Sequence, residues 1–397
     1  MRNRIFLIGC VALALLTGCS SDDALDSGSD IVIPIIPSNS DVKIQLSSGS
    51  GSTRAALNPD ENKNFEVDGL GIFCLANGFV TNNRFDNTLT WDPAHQYSGY
   101  YRLLDNVKAA AVKKTREDGS GTEYTDIEFY KSAESSEKEI KYYPLSNWLT
   151  YQFYGYYPRT EEISNTGSEV VAAIPITGKE DVVYGYTTND APDAYSAKYF
   201  REASHIGEAA EMPFKHKLIQ VQFNCKAGMK GDVVDEKAKE LIVKKVEVLN
   251  VPEKVNLVVA STDAARNGVL SIDGSATTAD CVVLGDNDGE FVSVQVAEEL
   301  QKLGQGIILP PLSADGTNGL PRQYEVKLTL AKKGESDTEE TMLDVFPHAV
   351  LTVDSGKFTT PGMLYNVVLT IYSPEDIRLN ATLESWIEDD TNYDYEY

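Results

Sequence analysis

Groups able to do chemistry are sparse in this chain, and the most reactive positions are ones on which other proteins would act. There are four histidines, at 95, 205, 216 and 348. Catalysis needs acid, base or nucleophile groups to converge, and no HExxH, GxSxG or P-loop string supplies such a set. His216 shares a strand face with Phe214 and Leu218, which points to a hydrogen-bonded structural histidine. The run Asp286-Asn287-Asp288-Gly289-Glu290 has the look of a calcium loop. Aligned on Gly289, it puts Leu284 at the first ligand position and Gln295 at the twelfth, where carboxylates are required, so an acidic turn is expected. No catalytic residue, no cofactor and no metal site is expected, and the chain is read as a non-enzyme.

Chemistry done to the chain is better marked. Val42, Ile44 and Leu46 alternate with Lys43, Gln45 and Ser47, the period of a half-buried strand, and the Ser/Gly run 47–52 that follows is flexible linker composition. One base, Arg54, then stands before Ala55. Nicking concentrates in such exposed segments of small residues, so an Arg-specific protease cutting between Arg54 and Ala55 would detach the strand and leave a groove. At the start, Arg2 and Arg4 precede an apolar run from Ile5 to Leu16, the form of a signal peptide over residues 1–18. Leu16-Thr17-Gly18-Cys19 resembles the bacterial lipobox, which makes Cys19 the lipidated residue, and Ser20-Ser21-Asp22-Asp23 resembles a surface-export signal of outer-membrane lipoproteins. Of five cysteines, Cys74, Cys225 and Cys281 are left to the folded part. Without a CxxC spacing they read as buried thiols with at most one disulfide.

The elements that must carry these positions are strands. The 397 residues include 35 basic and 60 acidic ones, a formal charge of −25 that makes nucleic acid a poor partner. Residues 1–54 hold only four of the basic and five of the acidic residues, so the acidity belongs to the body. The body's 21 tyrosines and its short Val/Ile/Thr/Tyr runs, split by Gly, Asn and Asp, suit an all-β fold. Strands are expected at Glu66–Leu75, 97–104, Val107–Lys114, Glu123–Tyr130, Leu241–Leu249, Val255–Ala260 and Tyr324–Lys332, with one short helix at Val296–Leu303. Residues 19–54 read as tether and pro-segment. A boundary in the Ala/Glu/Gly-rich stretch near 205 divides the remainder into sandwiches at 55–205 and 206–397.

Several blocks recur in a recognisable order. Trp148 precedes the aromatic strand Tyr151-Gln152-Phe153-Tyr154-Gly155-Tyr156-Tyr157-Pro158. Asp181-Val182-Val183-Tyr184 and Phe214-Lys215-His216-Lys217-Leu218 follow, and Pro361-Gly362-Met363-Leu364-Tyr365 leads to two strands and Trp386. Together they resemble the fimbrillins and fimbrillin-like (Mfa-like) proteins of bacterial type V pili. The resemblance implies two tandem transthyretin-like β-sandwich domains. It further implies a structural pilus subunit, exported as a lipid-anchored (palmitate-bearing) outer-membrane precursor and assembled at the cell surface by donor-strand exchange after an Arg-specific protease removes the N-terminal strand. The expected partners are other pilin subunits. Tyr393, Tyr395 and Tyr397 alternate with Asp394 and Glu396, so segment 391–397 is expected to be the donor strand. A non-polymerising tip adhesin and a carbohydrate-binding surface lipoprotein are the alternatives.

Overall fold

The computed structural model describes residues 39–48, 66–81, 84–86, 91–94, 98–115, 123–145, 149–187, 194–231, 233–234, 236–287, 290–291, 293–333, 340–343, 349–353, 357–373 and 376–385. The fold is all-β: strands stack into several sheets, and the described helices are single turns.

The first sheet has nine strands. Its spine runs, in spatial order, Ala210–Glu211, Leu46–Ser47, Glu123–Phe129, Arg102–Thr115, Val67–Thr81, Leu149–Tyr157, Val183–Tyr186 and Phe214–His216. Leu149–Tyr157 lies mid-sheet, and seven of its nine residues are buried because other layers cover both faces. Glu169–Pro175 alternates buried and half-buried instead, the mark of one covered face.

Beyond this sheet the C-terminal half builds two more. One runs Gln301–Leu309, Ile219–Ala227, Met363–Ser373 and Asp376–Ser385, with its two central strands parallel. The other is centred on Leu241–Pro252 and Gln323–Lys333. They approach each other at Gly304, where φ is +61° and an added Cβ would lie 1.9 Å from the Val283 carbonyl oxygen. Only glycine fits that approach.

Three expectations are corrected here. The helix expected at Val296–Leu303 is absent: Val294–Gln295 and Gln301–Leu309 are strands, because tertiary pairing with Leu241–Pro252 and Ile219–Ala227 overrides the helical spacing of the apolar residues. The runs 97–104 and Val107–Lys114 are one strand, Arg102–Thr115, preceded by the helical turn Ser98–Tyr101. The first sheet also does not stop at residue 205, since Ala210–Glu211 and Phe214–His216 form its two ends. A further sheet crosses the expected boundary altogether: Glu169–Pro175 pairs with Lys254–Ser261 over its whole length. One cluster of buried apolar side chains accordingly runs from Phe73 and Tyr154 through Val170 and Leu257 to Val367 and Leu369.

Candidate functional site

The site is the seat of segment 39–48. Ser40, Ile44, Leu46 and Ser48 are buried and Val42 is half-buried, while Asp41, Lys43 and Gln45 face solvent. The alternation read from the sequence therefore holds, with Leu46 at 0% and Ile44 at 5% exposure. Burying these two side chains stabilises the seated segment by about 3–6 kcal/mol.

The segment is nevertheless not the single strand expected. Asn39–Lys43 pairs antiparallel with Tyr142–Pro144 in a separate two-stranded sheet. Leu46–Ser47 instead enters the nine-stranded sheet, parallel to Ala210–Glu211 and antiparallel to Glu123–Phe129. The change of partner falls on two consecutive residues: the Ile44 N–H donates to the Lys141 carbonyl at 2.9 Å, and the Gln45 carbonyl accepts from the Ala210 N–H at 2.9 Å. The step exists because the two receiving strands belong to different sheets.

Further contacts fasten both halves. The Met212 N–H donates to the Ser47 carbonyl at 2.7 Å, and the Ser48 N–H reaches the Thr125 carbonyl at 3.4 Å. Ser40 Oγ donates to the Tyr143 carbonyl at 2.7 Å. On the outside, Arg201 holds Asp41 at 2.7 Å, and the guanidinium keeps that carboxyl below its ordinary pKa. Arg201 ends the short helix Ala197–Arg201, which Ser196 caps by accepting from the Tyr199 N–H.

Aromatic side chains cluster around Tyr143, on the strand that pairs with Asn39–Lys43. Tyr143 stacks on Phe200 at 5.5 Å and meets Phe153 edge-on at 6.1 Å, and Tyr199 and Tyr195 extend the cluster. Burial pushes the Tyr143 phenol well above its usual pKa. Two hydroxyls beside the seat, Thr125 Oγ1 and Tyr143 Oη, are buried with no hydrogen-bond partner among the described residues. Tyr142–Pro144 and Ala210–Glu211 have no other strand partner among the described residues, so each depends on segment 39–48 for its ladder. Withdrawing that segment would uncover a long apolar slot edged by unpaired backbone groups, a surface that accepts an added strand.

The other positions singled out by the sequence fall as follows. Cys19, Arg54, Ala55, Tyr393, Tyr395 and Tyr397 lie outside the described residues, as do Trp148, Trp386, His95 and His348. Cys74 and Cys225 are buried free thiols, whereas Cys281 is only half-buried. His216 is hydrogen-bonded through Nδ1 to the buried Asp181, whose other oxygen accepts from the Val182 N–H at 2.7 Å. Asp286–Asn287 pairs antiparallel with Glu290–Phe291. Two functional elements went unnoticed in the sequence, Tyr142–Pro144 and Ala210–Glu211. Runs of two and three residues have no readable period, and their partners lie far away in the chain. No helix among the described residues is long and apolar enough to cross a membrane.

No curated protein matches the chain. Among solved structures, a proposed cell adhesion protein from Bacteroides uniformis is similar at 15% identity and a TM-score of 0.42, over 87% of this chain and 97% of that one. The tip fimbrial protein Mfa3 of Porphyromonas gingivalis, with a C-terminal truncation, aligns at 9% identity and TM-score 0.35 over 87% of this chain and 99% of its own. The fimbrial anchor protein Mfa2 of the same organism aligns at 8% and 0.32, over 87% and 97%. The family model described as Fimbrillin-like matches residues 102–386. That match covers well over half of the sequence, and the chain belongs to the fimbrillin-like family.

Proposed function

We propose that this fimbrillin-like protein is a structural subunit of a type V pilus, made as a lipoprotein anchored through Cys19 and activated by cleavage between Arg54 and Ala55. The observation that carries the reading is the seat of segment 39–48. A deeply buried strand is joined to the body through a Ser/Gly-rich stretch that ends at a lone arginine. Proteolysis there turns a covalent neighbour into a removable one. A strand from the next subunit then fills the slot, a head-to-tail contact that propagates as an open filament. The donor in this reading is the tail bearing Tyr393, Tyr395 and Tyr397. Residues 1–18 serve as signal peptide and the multiple acyl chains on Cys19 hold the precursor at the outer membrane, each buried CH₂ adding about 0.8 kcal/mol. The body is a scaffold and not an enzyme.

The deciding measurement is the N-terminus of surface-assembled protein. Ala55 is expected. Finding Cys19 there, with residues 42–46 still attached, rejects polymerisation by strand removal and turns attention to a tip adhesin. Removal of residues 392–397 is expected to leave a folded monomer that no longer polymerises after protease treatment; undiminished polymers would exclude the tyrosine tail as donor. Palmitate labelling is expected to vanish in Cys19→Ser.

A further inference from the structure

We propose that the outer face of the sheet formed by Gln301–Leu309, Ile219–Ala227, Met363–Ser373 and Asp376–Ser385 binds an uncharged glycan. This face lies in a different sheet from the seat of segment 39–48, and its role does not depend on whether the chain polymerises. The inward side chains of the two central strands, such as Val221, Phe223, Val367 and Leu369, are fully buried. The outward positions are rich in amides: Gln222 stands beside Asn366, Asn224 beside Val368, and Asn380 on the far side of Val368. Strand geometry spaces such positions about 5 Å apart across the sheet and about 7 Å apart along it. The result is a regular array of groups that each donate and accept, as a sugar hydroxyl does.

The amides are ordered and still have bonding capacity to offer. Asn224 is only 9% exposed, and its side chain makes no hydrogen bond among the described residues, so its amide is left to whatever meets the outer face. Gln222 is aimed: its Nε2 donates to the Phe223 carbonyl at 2.8 Å, which turns Oε1 away from the backbone. Side chains already held in place lose little freedom when a ligand arrives. Charge then selects the ligand. In the neighbouring sheet Glu247 sits between Lys245 at 2.7 Å and Lys327 at 3.6 Å, and in the first sheet Lys114 holds Glu128 at 2.8 Å. The outward side chains of 220–224, 364–370 and 380–382 include no charged group, and charges enter only at one end with Lys226, Lys302 and the Asp376–Arg378 pair. Hydroxyls on the ligand meet the amides, and the C–H faces of its rings meet the half-buried Val368. An acidic polymer is disfavoured by the formal charge of −25 on the chain as a whole.

The test presents the full chain, biotinylated and multimerised on streptavidin so that weak contacts add, to a printed array of oligosaccharides. The array holds uncharged sugars of glucose, galactose, mannose and N-acetylhexosamines, with sialylated and sulfated ones alongside. Binding to uncharged members is expected, and it should persist at about 1 M salt, where charge attraction is screened beyond ~3 Å. Calorimetric titration with the best-bound oligosaccharide then reads the variants. Asn366→Ala and Asn380→Ala should each weaken binding about tenfold, the loss of one well-made hydrogen bond, while Lys327→Ala on the neighbouring sheet leaves it unchanged. Asn380 is exposed, so its truncation spares the core, and near-ultraviolet dichroism checks that both variants are folded. The proposal is overturned if no uncharged sugar binds, if binding is confined to sialylated or sulfated sugars, or if both variants keep full affinity. It is overturned equally if the chain dimerises on a sizing column and either variant dissolves the dimer, since the face then belongs to a second copy.

Discussion

Thr125 and Tyr143 place two buried hydroxyls next to the seated segment with no hydrogen-bond partner among the described residues. A buried donor left unmet costs about 1–3 kcal/mol, so removing it without changing shape should stabilise. Tyr143→Phe is therefore expected to raise the melting temperature of the precursor by about 1–3 °C, as read by calorimetry. A lower value would mean that the hydroxyl is satisfied in solution. At Asp181 the charge is the issue, because burial raises its pKa above the unfolded value despite the His216 contact. A carboxyl raised on folding contributes its stability below about pH 4, and that contribution is lost as pH rises through the folded pKa. Asp181→Asn keeps an acceptor for the Val182 N–H and removes the titration. Relative to the parent it should fare better at pH 7 than at pH 4 in denaturant titrations, and an equal difference at both would discard the assignment. His216 itself was legible in the sequence, because Phe214 and Leu218 flank it at strand spacing. Its partner Asp181 was not, since the two lie 35 residues apart.

Segment 39–48 behaves as an element whose two ends answer to different sheets. Leu46 is fully enclosed whereas Val42 is only half-buried. Leu46→Ala should therefore cost about 2–5 kcal/mol of precursor stability, and Val42→Ala distinctly less. Equal costs would imply that the segment is held as one uniform strand. Another close fit holds the two C-terminal sheets together at Gly304, where both the positive φ and the Val283 carbonyl exclude a side chain. Gly304→Ala is expected to destabilise the folded chain more than Gly99→Ala, whose Cβ would meet nothing within 4 Å. Chemical denaturation of the pair checks this.

At the scale of the molecule, the halves are interleaved. Val170, Ala172 and Ile174 are fully buried, and the strand that carries them pairs with Lys254–Ser261 from the other half. Tyr184 reinforces the joint by donating its hydroxyl to the Val259 carbonyl at 2.8 Å. A fragment ending at residue 205 would lose that partner strand, together with Ala210–Glu211 and Phe214–His216 from the ends of the first sheet. It is expected to be insoluble or molten, with collapsed near-ultraviolet dichroism, while residues 39–385 unfold in one transition. A stable fragment with native-like dichroism would establish an independent N-terminal domain.

The sequence alone determined what depends on local pattern. The period-2 alternation at Val42, Ile44 and Leu46 and that of the Met363–Ser373 strand each state their own burial, because side chains alternate faces along any strand. The order of these blocks was enough to point to the family. Tertiary structure alone decided which strands meet. Pairing across the expected boundary, the strand Gln301–Leu309 that overlaps the helix expected at Val296–Leu303, and the two-sheet grip on segment 39–48 all rest on hydrogen bonds between residues distant in the chain. Backbone amides and carbonyls are alike in every residue, so nothing in the side-chain pattern says which distant edge a strand will find.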